Sequence, residues 1–324
     1  MHNTVTVDGV SSSTPAGPFK WTDPAQCTPL CWHDRESFSF FAGYHTGYRR
    51  LLDATTHTRA VLFANREYWV LLDRIDAVGA HAATLNFHLA HGVTARRDVS
   101  KQRMVASAAQ SGLEILVAGA AGNWTISEDF VSPCYGAKLA ATCCSYSIAT
   151  SGATERMLAL VPTALNQSAP AIDDIPLPRG QGMTVRVNGN RDLVLHDAPS
   201  SPQHGVLAND FEWLWLRHAA SDNALQRMLL LHGMRLQMPA LKLQFSRKIS
   251  FCGLSLVENR LAIELSQAAD VSVSARDGIA AIEINGRVFH VESNATMNVA
   301  ASQVPALLVS PNISKDQECA HVRH

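Results

Sequence analysis

The stretch that decides the fold is Gly43–Ala90, which reads GYHTGYRRLLDATTHTRAVLFANREYWVLLDRIDAVGAHAATLNFHLA. Residues 59–64 and 68–75 are β-branched, leucine-rich and aromatic, and only three residues, Asn65-Arg66-Glu67, separate them. A gap this short joins two such runs as a hairpin. Residues 81–89 then alternate, with His81, Ala83, Leu85, Phe87 and Leu89 on one face and Thr84, Asn86 and His88 on the other. A period of two is typical of a half-buried antiparallel strand, so the stretch predicts three successive β-strands.

The rest of the chain also reads as strands joined by turns. The dipeptides Asn188-Gly189 and Asn285-Gly286 each stand between two apolar runs and favour primed hairpin turns. Helix patterns are few: residues 100–111 are predicted as one short helix, and residues 220–231 fit either a helix or a strand. We therefore predict an all-β protein, built as a large layered antiparallel β-sandwich.

A change of composition predicts how the chain is divided. Between Pro162 and Gly182 the sequence becomes rich in Pro, Ser, Asn and Asp and loses its periodicity, which is typical of a long connection. We expect residues 1–165 to form a β-sandwich region. Residues 166–324 are expected either to continue that sandwich or to form a smaller second β region.

The composition excludes several classes of protein. Hydrophobic residues make up 47% of the 324 residues and charged residues 17%, which is typical of a folded globular chain. A formal net charge of −1 provides no overall field for nucleic acid or an anionic membrane, so we expect neither as a partner. Seven cysteines, an odd number, do not predict a disulfide framework. No signal sequence is visible after Met1, so a cytoplasmic location is expected for the chain as given.

Several motifs, taken together, resemble one known family. His45-x-Gly47-Tyr48-Arg49-Arg50-Leu51 is followed by His57-x-Arg59 and by Trp69-x3-Asp73-Arg74. The opening His2-Asn3-Thr4 precedes this block, and Ser132-Pro133-x-Tyr135-Gly136 follows it. In this order and spacing, residues 1–165 resemble the C-terminal β-sandwich of the heparinase II/III family of polysaccharide lyases.

The resemblance implies a function. Such lyases cleave uronate-containing polysaccharides by β-elimination, with their base, acid and charge-neutralising groups mostly on a helical toroid that precedes the sandwich. The toroid has no counterpart in this sequence, so we expect a truncated or split lyase that is inactive alone and assign no catalytic residue. An acidic polysaccharide and a separate toroid chain are the expected partners, and a longer family-like lyase would lie in the periplasm or cell envelope. The alternatives are a non-catalytic carbohydrate-binding or scaffold module, and a decaying remnant with exposed strand edges.

Five residues are candidates for binding the substrate. His45, Tyr48, Arg49 and Arg50 are interpreted as a basic lip for uronate carboxylates, because an arginine fork matches a carboxylate in bidentate fashion. The competing interpretation is that they are strand residues whose side chains fix the sheet by pairing with Asp53, Asp73 or Asp76. Tyr135, in a predicted turn, is the fifth candidate.

His2 is the one candidate metal ligand. The resemblance implies that its partners are upstream, in a His-x-His-x-Asp segment and a further aspartate, but this chain contains no His-x-His. Structural zinc normally needs four ligands, so a divalent metal, zinc or calcium, is expected only if a partner completes the site. Otherwise no cofactor is expected. We interpret the other polar and aromatic signals as structural or chance: His57, His81 and His88, the spacing Cys27-x3-Cys31-x-His33, and the alternating Trp213 and Trp215.

Overall fold

The computed structural model describes residues 2–17, 20–99, 103–119, 122–164, 169–198, 200–275, 279–291 and 295–307. Strands account for 67% of the structure and helix for 2%, so the predicted all-β, antiparallel sandwich class is confirmed. The chain separates into two compact units, one ending at Pro170 and the other beginning at Ala171. No helix in the described ranges has the length and apolar character needed to cross a membrane.

The first unit is built from twelve described strands. In chain order they are β1 Val5–Val7, β2 Thr14–Gly17, β3 Lys20–Asp23, β4 Cys27–Arg35, β5 Phe38–His45, β6 Thr56–Ala64, β7 Tyr68–His88, β8 Thr94–Asp98, β9 Arg103–Ser107, β10 Ser111–Val117, β11 Gly122–Val131 and β12 Leu139–Ala164. Ten of them form one sheet in the order β4-β5-β6-β7-β12-β10-β9-β8, with β1 added on β7 and β11 added on β12. Strands β2 and β3 pair separately.

Two long strands organise this sheet. β7 and β12 pair with each other over most of their length, and each changes its other neighbour part of the way along. β7 pairs with β6 over residues 68–76 and with β1 over residues 83–85. β12 pairs with β11 over residues 139–148 and with β10 over residues 158–164. One core cluster joins side chains from both ends of the pair, so the sheet folds over itself into two layers, as Leu71, Leu85, Trp124 and Leu158 illustrate.

The stretch 43–90 folds largely as predicted. The hairpin between β6 and β7 is present, and Asn65 and Arg66 both have positive φ, at 48° and 58°, as the tight turn requires. The alternation after residue 80 is confirmed, because Ala83, Leu85 and Phe87 are buried. The predicted break between residues 75 and 81 is wrong: β7 runs through it, because β12 pairs with both halves.

The second unit holds the remaining twelve described strands. They are β13 Ala171–Asp174, β14 Gln181–Val187, β15 Asn190–His196, β16 Ala208–Asn209, β17 Trp213–Ala219, β18 Leu225–Gln237, β19 Leu241–Val257, β20 Arg260–Leu265, β21 Val271–Ala275, β22 Ala281–Ile284, β23 Arg287–His290 and β24 Thr296–Val299. Both Asn-Gly turns form as predicted, with positive φ at Asn188 and Gly189 and again at Asn285 and Gly286. Pro202–His204 and Ala301–Gln303 are short 3-10 turns within the described residues of this unit.

The helix expected over residues 100–111 is corrected, and residues 220–231, which fit either a helix or a strand, contain the start of a strand. Residues 103–107 of the predicted helix 100–111 form β9, in which Met104 and Ala106 are buried in a period of two; residues 100–102 lie outside the described residues. Residues 225–237 form β18, because apolar residues such as Leu230 pair with β17 on one side and β19 on the other. Propensity gives way to strand pairing in both places.

A charged pair lies within the core of the second unit. Arg217 is 1% exposed and Asp192 0% exposed. The guanidinium donates through Nε and Nη2 to the two carboxylate oxygens, at 2.9 Å each, and the indole of Trp215 donates to the same carboxylate at 3.0 Å. Trp213 and Trp215 are buried, which confirms that they pack rather than face solvent.

Candidate functional site

The predicted lip lies where β5 ends, beside the first strand of the chain. Tyr48 is fully buried, and its hydroxyl donates to the backbone oxygen of Val5 at 2.6 Å. Burial raises the pKa of Tyr48 to about 12, so the phenol stays protonated and keeps donating. This side chain fastens β1 to the sheet and offers no surface to a ligand.

The two arginines of the lip have different environments. Arg50 donates to three backbone oxygens, those of Ser11, Ser12 and Gly47, so its guanidinium is committed to holding the loop. Arg49 is exposed and its backbone N–H donates to Thr46, but within the described part of the chain no hydrogen bond or ion pair of its guanidinium is formed. Arg49 is therefore the cation in this lip that is free to receive a carboxylate.

His45 is the outer end of a buried hydrogen-bonded chain. The Gly47 N–H donates to His45 Nδ1 at 3.2 Å, which leaves Nε2 of that ring to donate to His57 Nδ1 at 3.0 Å. His57 Nε2 then donates to Asp73 Oδ1 at 2.7 Å. Every ring nitrogen of the two imidazoles has a hydrogen-bond partner, so the chain links strands β5, β6 and β7.

Arg59 closes the chain at its inner end. It donates to Asp73 through Nε at 2.7 Å and Nη2 at 2.9 Å, and through Nη1 to the backbone oxygen of Asn3 at 2.6 Å. Burial would raise the pKa of Asp73, but the Arg59 cation and the His57 hydrogen bond lower it to about 2. Burial, together with His57 and Arg59, lowers the pKa of His45 to about 4, so this imidazole is neutral at physiological pH.

The aspartates named in the competing interpretation are paired, but with other partners. Asp73 pairs with Arg59 and His57, and Asp76 pairs with Arg74. Tyr135 lies in the connection between β11 and β12 and is 92% exposed. No hydrogen bond among the described residues joins Tyr135 to the lip, so the structure does not bring the five candidates together.

The residues around His2 do not fit the metal that the resemblance implies. His2 precedes β1, is exposed, and its backbone oxygen accepts from the Thr4 N–H at 2.9 Å. Among the described residues, the side chains close enough to share a metal ion are His88, Asp129 and Cys143, and His2 is not one of them. Cys27, Cys31 and His33 form no such group within the described ranges either.

One charged cluster was missed by sequence reasoning. His81 bridges two carboxylates, with Nδ1 at 2.6 Å from Asp8 Oδ2 and Nε2 at 3.0 Å from Asp53 Oδ2. Asp53 also accepts from the backbone N–H groups of Val78 and Gly79. The cluster ties the end of β1 to β7 and to the loop after β5. The sequence carries one signal of this cluster. Asp8 directly follows the first predicted strand, and His81 begins the third predicted strand of the stretch 43–90.

Comparison with known proteins places these features in a family. The family described as Heparinase II/III-like, C-terminal, matches residues 1–161. No curated protein matches the chain.

Solved structures share part of the fold. The crystal structure of the heparan sulfate lyase HepC from Pedobacter heparinus is similar with a TM-score of 0.50 and 19% identity, over 60% of this chain and 30% of that one. The heparinase III BT4657 gene product has a TM-score of 0.48 and 16% identity, over the same shares of the two chains. The chain thus spans about 30% of the length of the solved enzymes that it resembles.

Proposed function

Since residues 1–161 belong to the heparinase II/III-like C-terminal family, we propose that the chain is the β-sandwich portion of a lyase that cleaves acidic, uronate-containing polysaccharide by β-elimination. The observation that carries the proposal is the family match, which coincides with the ten-stranded folded sheet of the first unit.

The chemistry of β-elimination defines which groups the active site of such a lyase must contain. β-Elimination removes a proton next to a carboxylate, so a site needs a group that neutralises the carboxylate, a general base, and an acid for the leaving oxygen. In the lip of the described structure, Tyr48 and Arg50 are occupied by backbone groups and His45 by Gly47 and His57. We therefore assign no catalytic residue to these positions and propose that a helical toroid, on a separate chain or a longer polypeptide, supplies the reacting groups.

The first experiment measures turnover. The purified chain is incubated with heparin, heparan sulfate and alginate, and the absorbance of the unsaturated uronate product is followed. We expect no product from the chain alone. Steady turnover that scales with the concentration of the chain would contradict the division of labour proposed here.

Binding is the part of the function that these residues are proposed to retain. Arg49 supports it, because the guanidinium is exposed and unpaired within the described residues and a uronate carboxylate matches its donor geometry. Lysine could not replace this fork. The same observation favours the second candidate function, a non-catalytic module that binds acidic polysaccharide.

The binding experiment compares two exposed arginines at opposite sides of the sheet. Retention on a heparin or alginate matrix is measured for the unchanged chain, Arg49→Ala and Arg96→Ala. Arg96 is exposed on the edge strand β8, far from the lip in the strand order. We expect retention to fall for Arg49→Ala only, and to weaken as the screening length shortens from about 30 Å at 0.01 M salt to about 8 Å at 0.15 M. An equal loss of retention in both variants would indicate nonspecific charge attraction and would refute the assignment of the lip as a binding site.

A further inference from the structure

Three metal-binding side chains lie together on adjacent strands of the first unit. His88 on β7 is the cross-strand partner of Cys143 on β12. Asp129 on β11 is opposite Ala141, two residues from Cys143 and therefore on the same face of the sheet. The ligand atoms of the three residues lie within 4.8 Å of one another.

Hydrogen bonding accounts for only part of this group, in which Asp129 Oδ1 also accepts from the Phe130 N–H at 2.9 Å. His88 Nε2 lies 3.1 Å from Asp129 Oδ2, but His88 Nδ1 is buried without a hydrogen-bond partner among the described residues. The Cys143 thiol has only a long contact, 3.7 Å, to the Ser145 hydroxyl. The contact between His88 Nε2 and Asp129 Oδ2 places an imidazole nitrogen and a carboxylate oxygen close to the spacing of two ligands of one ion.

The donor set selects the kind of ion. Calcium and magnesium take oxygen ligands, whereas imidazole, thiolate and carboxylate together are ligands of zinc. Metal–ligand bonds of about 2.0–2.3 Å at tetrahedral angles place donor atoms about 3.4–3.6 Å apart, so the observed group needs only side-chain adjustments. Asp129 is 26% exposed and His88 13%, which leaves the group open to solvent on one side.

We propose that His88, Asp129 and Cys143 form a zinc site with water in the fourth position. Three protein ligands and an open position are the arrangement of an accessible zinc site. The site does not include His2, and it gives His88 a ligand role in place of the purely structural one inferred from the sequence. On binding, the Cys143 thiol loses its proton to solvent as the sulfur–zinc bond forms, so affinity must rise with pH.

The test titrates the full chain with Zn²⁺ alone by calorimetry, and with Co²⁺ as a spectroscopic substitute. We expect one ion per chain and a thiolate-to-cobalt charge-transfer band. His88→Gln, Asp129→Asn and Cys143→Ser should each weaken Zn²⁺ binding about tenfold or more, and Cys143→Ser should abolish the band. Asp129→Asn is the variant least able to disturb folding, because that side chain is partly exposed.

Two control variants distinguish metal binding at this site from metal binding to other exposed thiols and imidazoles. Cys134→Ser removes an exposed thiol, and His91→Gln removes an exposed imidazole that contacts the backbone oxygen of Ala140. Both should keep the affinity and the band. Loss of binding in either control, binding that persists unchanged in Cys143→Ser and Asp129→Asn, or bound cobalt without the charge-transfer band would each overturn the proposal.

Discussion

Replacing Asp73 with alanine would test the buried network that joins β5, β6 and β7. The Asp73 carboxylate is 2% exposed and accepts three hydrogen bonds, two from Arg59 at 2.7 and 2.9 Å and one from His57 at 2.7 Å. Removing one member of a buried ion pair costs about 3–5 kcal/mol, because the other charge is left without a partner. The Arg59 side chain is 20% exposed and reaches water, so we expect a loss near the lower end, about 3 kcal/mol of the free energy of unfolding.

The pKa of Asp73 predicts how this stabilisation depends on pH. Burial opposes ionisation, but Arg59 and His57 lower this pKa from 3.8 to about 2, so the ionised carboxylate stabilises the folded state. A lowered carboxyl pKa stabilises the fold above the unfolded value and loses that contribution as pH falls through the folded value. The contribution of Asp73 should therefore be complete above about pH 5 and disappear between about pH 4 and pH 2.

The assay is equilibrium unfolding in urea at neutral pH, with Asp76→Ala as the matched control. Asp76 is on the same strand and pairs with Arg74 at 2.8 Å, but these side chains are 40% and 43% exposed. An exposed pair contributes about 0–1 kcal/mol. If Asp73→Ala destabilises the chain by no more than Asp76→Ala does, the reasoning from burial and hydrogen bonding is refuted.

Two further predictions concern other charged clusters. His81 has a raised pKa because it is hydrogen-bonded to Asp8 and Asp53, whose own pKa values are lowered. β1 should therefore be held most firmly between about pH 4 and pH 6.5. Below this window the contribution of the carboxylates is lost, and as pH rises above it the contribution of the histidine is lost. Hydrogen-exchange protection of the β1 amides should show this maximum, and His81→Gln should flatten it; an unchanged profile in that variant would exclude the cluster as the cause. In the second unit, Asp192→Ala should cost about 3–5 kcal/mol by urea unfolding, because the buried Arg217 guanidinium loses the carboxylate that compensates its charge. The double change Asp192→Leu with Arg217→Met should recover most of that loss, and a double variant as unstable as the single one would contradict the desolvation argument.

The local parts of the fold could be predicted from the sequence because their signals are short-range. A turn at residues 65–67 sets the register of everything on either side, and Arg59 and Asp73 are each seven residues from Arg66. The pairing of these two residues is therefore implied by the hairpin, although the competing interpretation assigned Asp73 to residues of the lip. The Asn-Gly turns and the alternation in residues 83–87 depend on the same local rules.

The remainder depends on contacts between distant residues. The continuity of β7 is fixed by β12, whose Ala153 pairs with Asp76 across a bulge at Gly152. Nothing near Asp76 in the sequence carries that information. The proximity of His88, Cys143 and Asp129 likewise arises from pairing between β7, β12 and β11. No spacing motif in the sequence predicts it.

The shared pair β7 and β12 also determines when this protein can fold. β1 pairs with residues 83–85 of β7, and β7 itself pairs with residues 143–160 of β12. Both layers of the first unit therefore depend on a segment that is synthesised late. A ribosome must release nearly the whole unit before its central ladder can close, and loop closure over such separations is slow. Until residue 164 has emerged, the β6–β7 hairpin leaves one long edge open to foreign strands, so we expect chaperone contact during synthesis to matter most before that point.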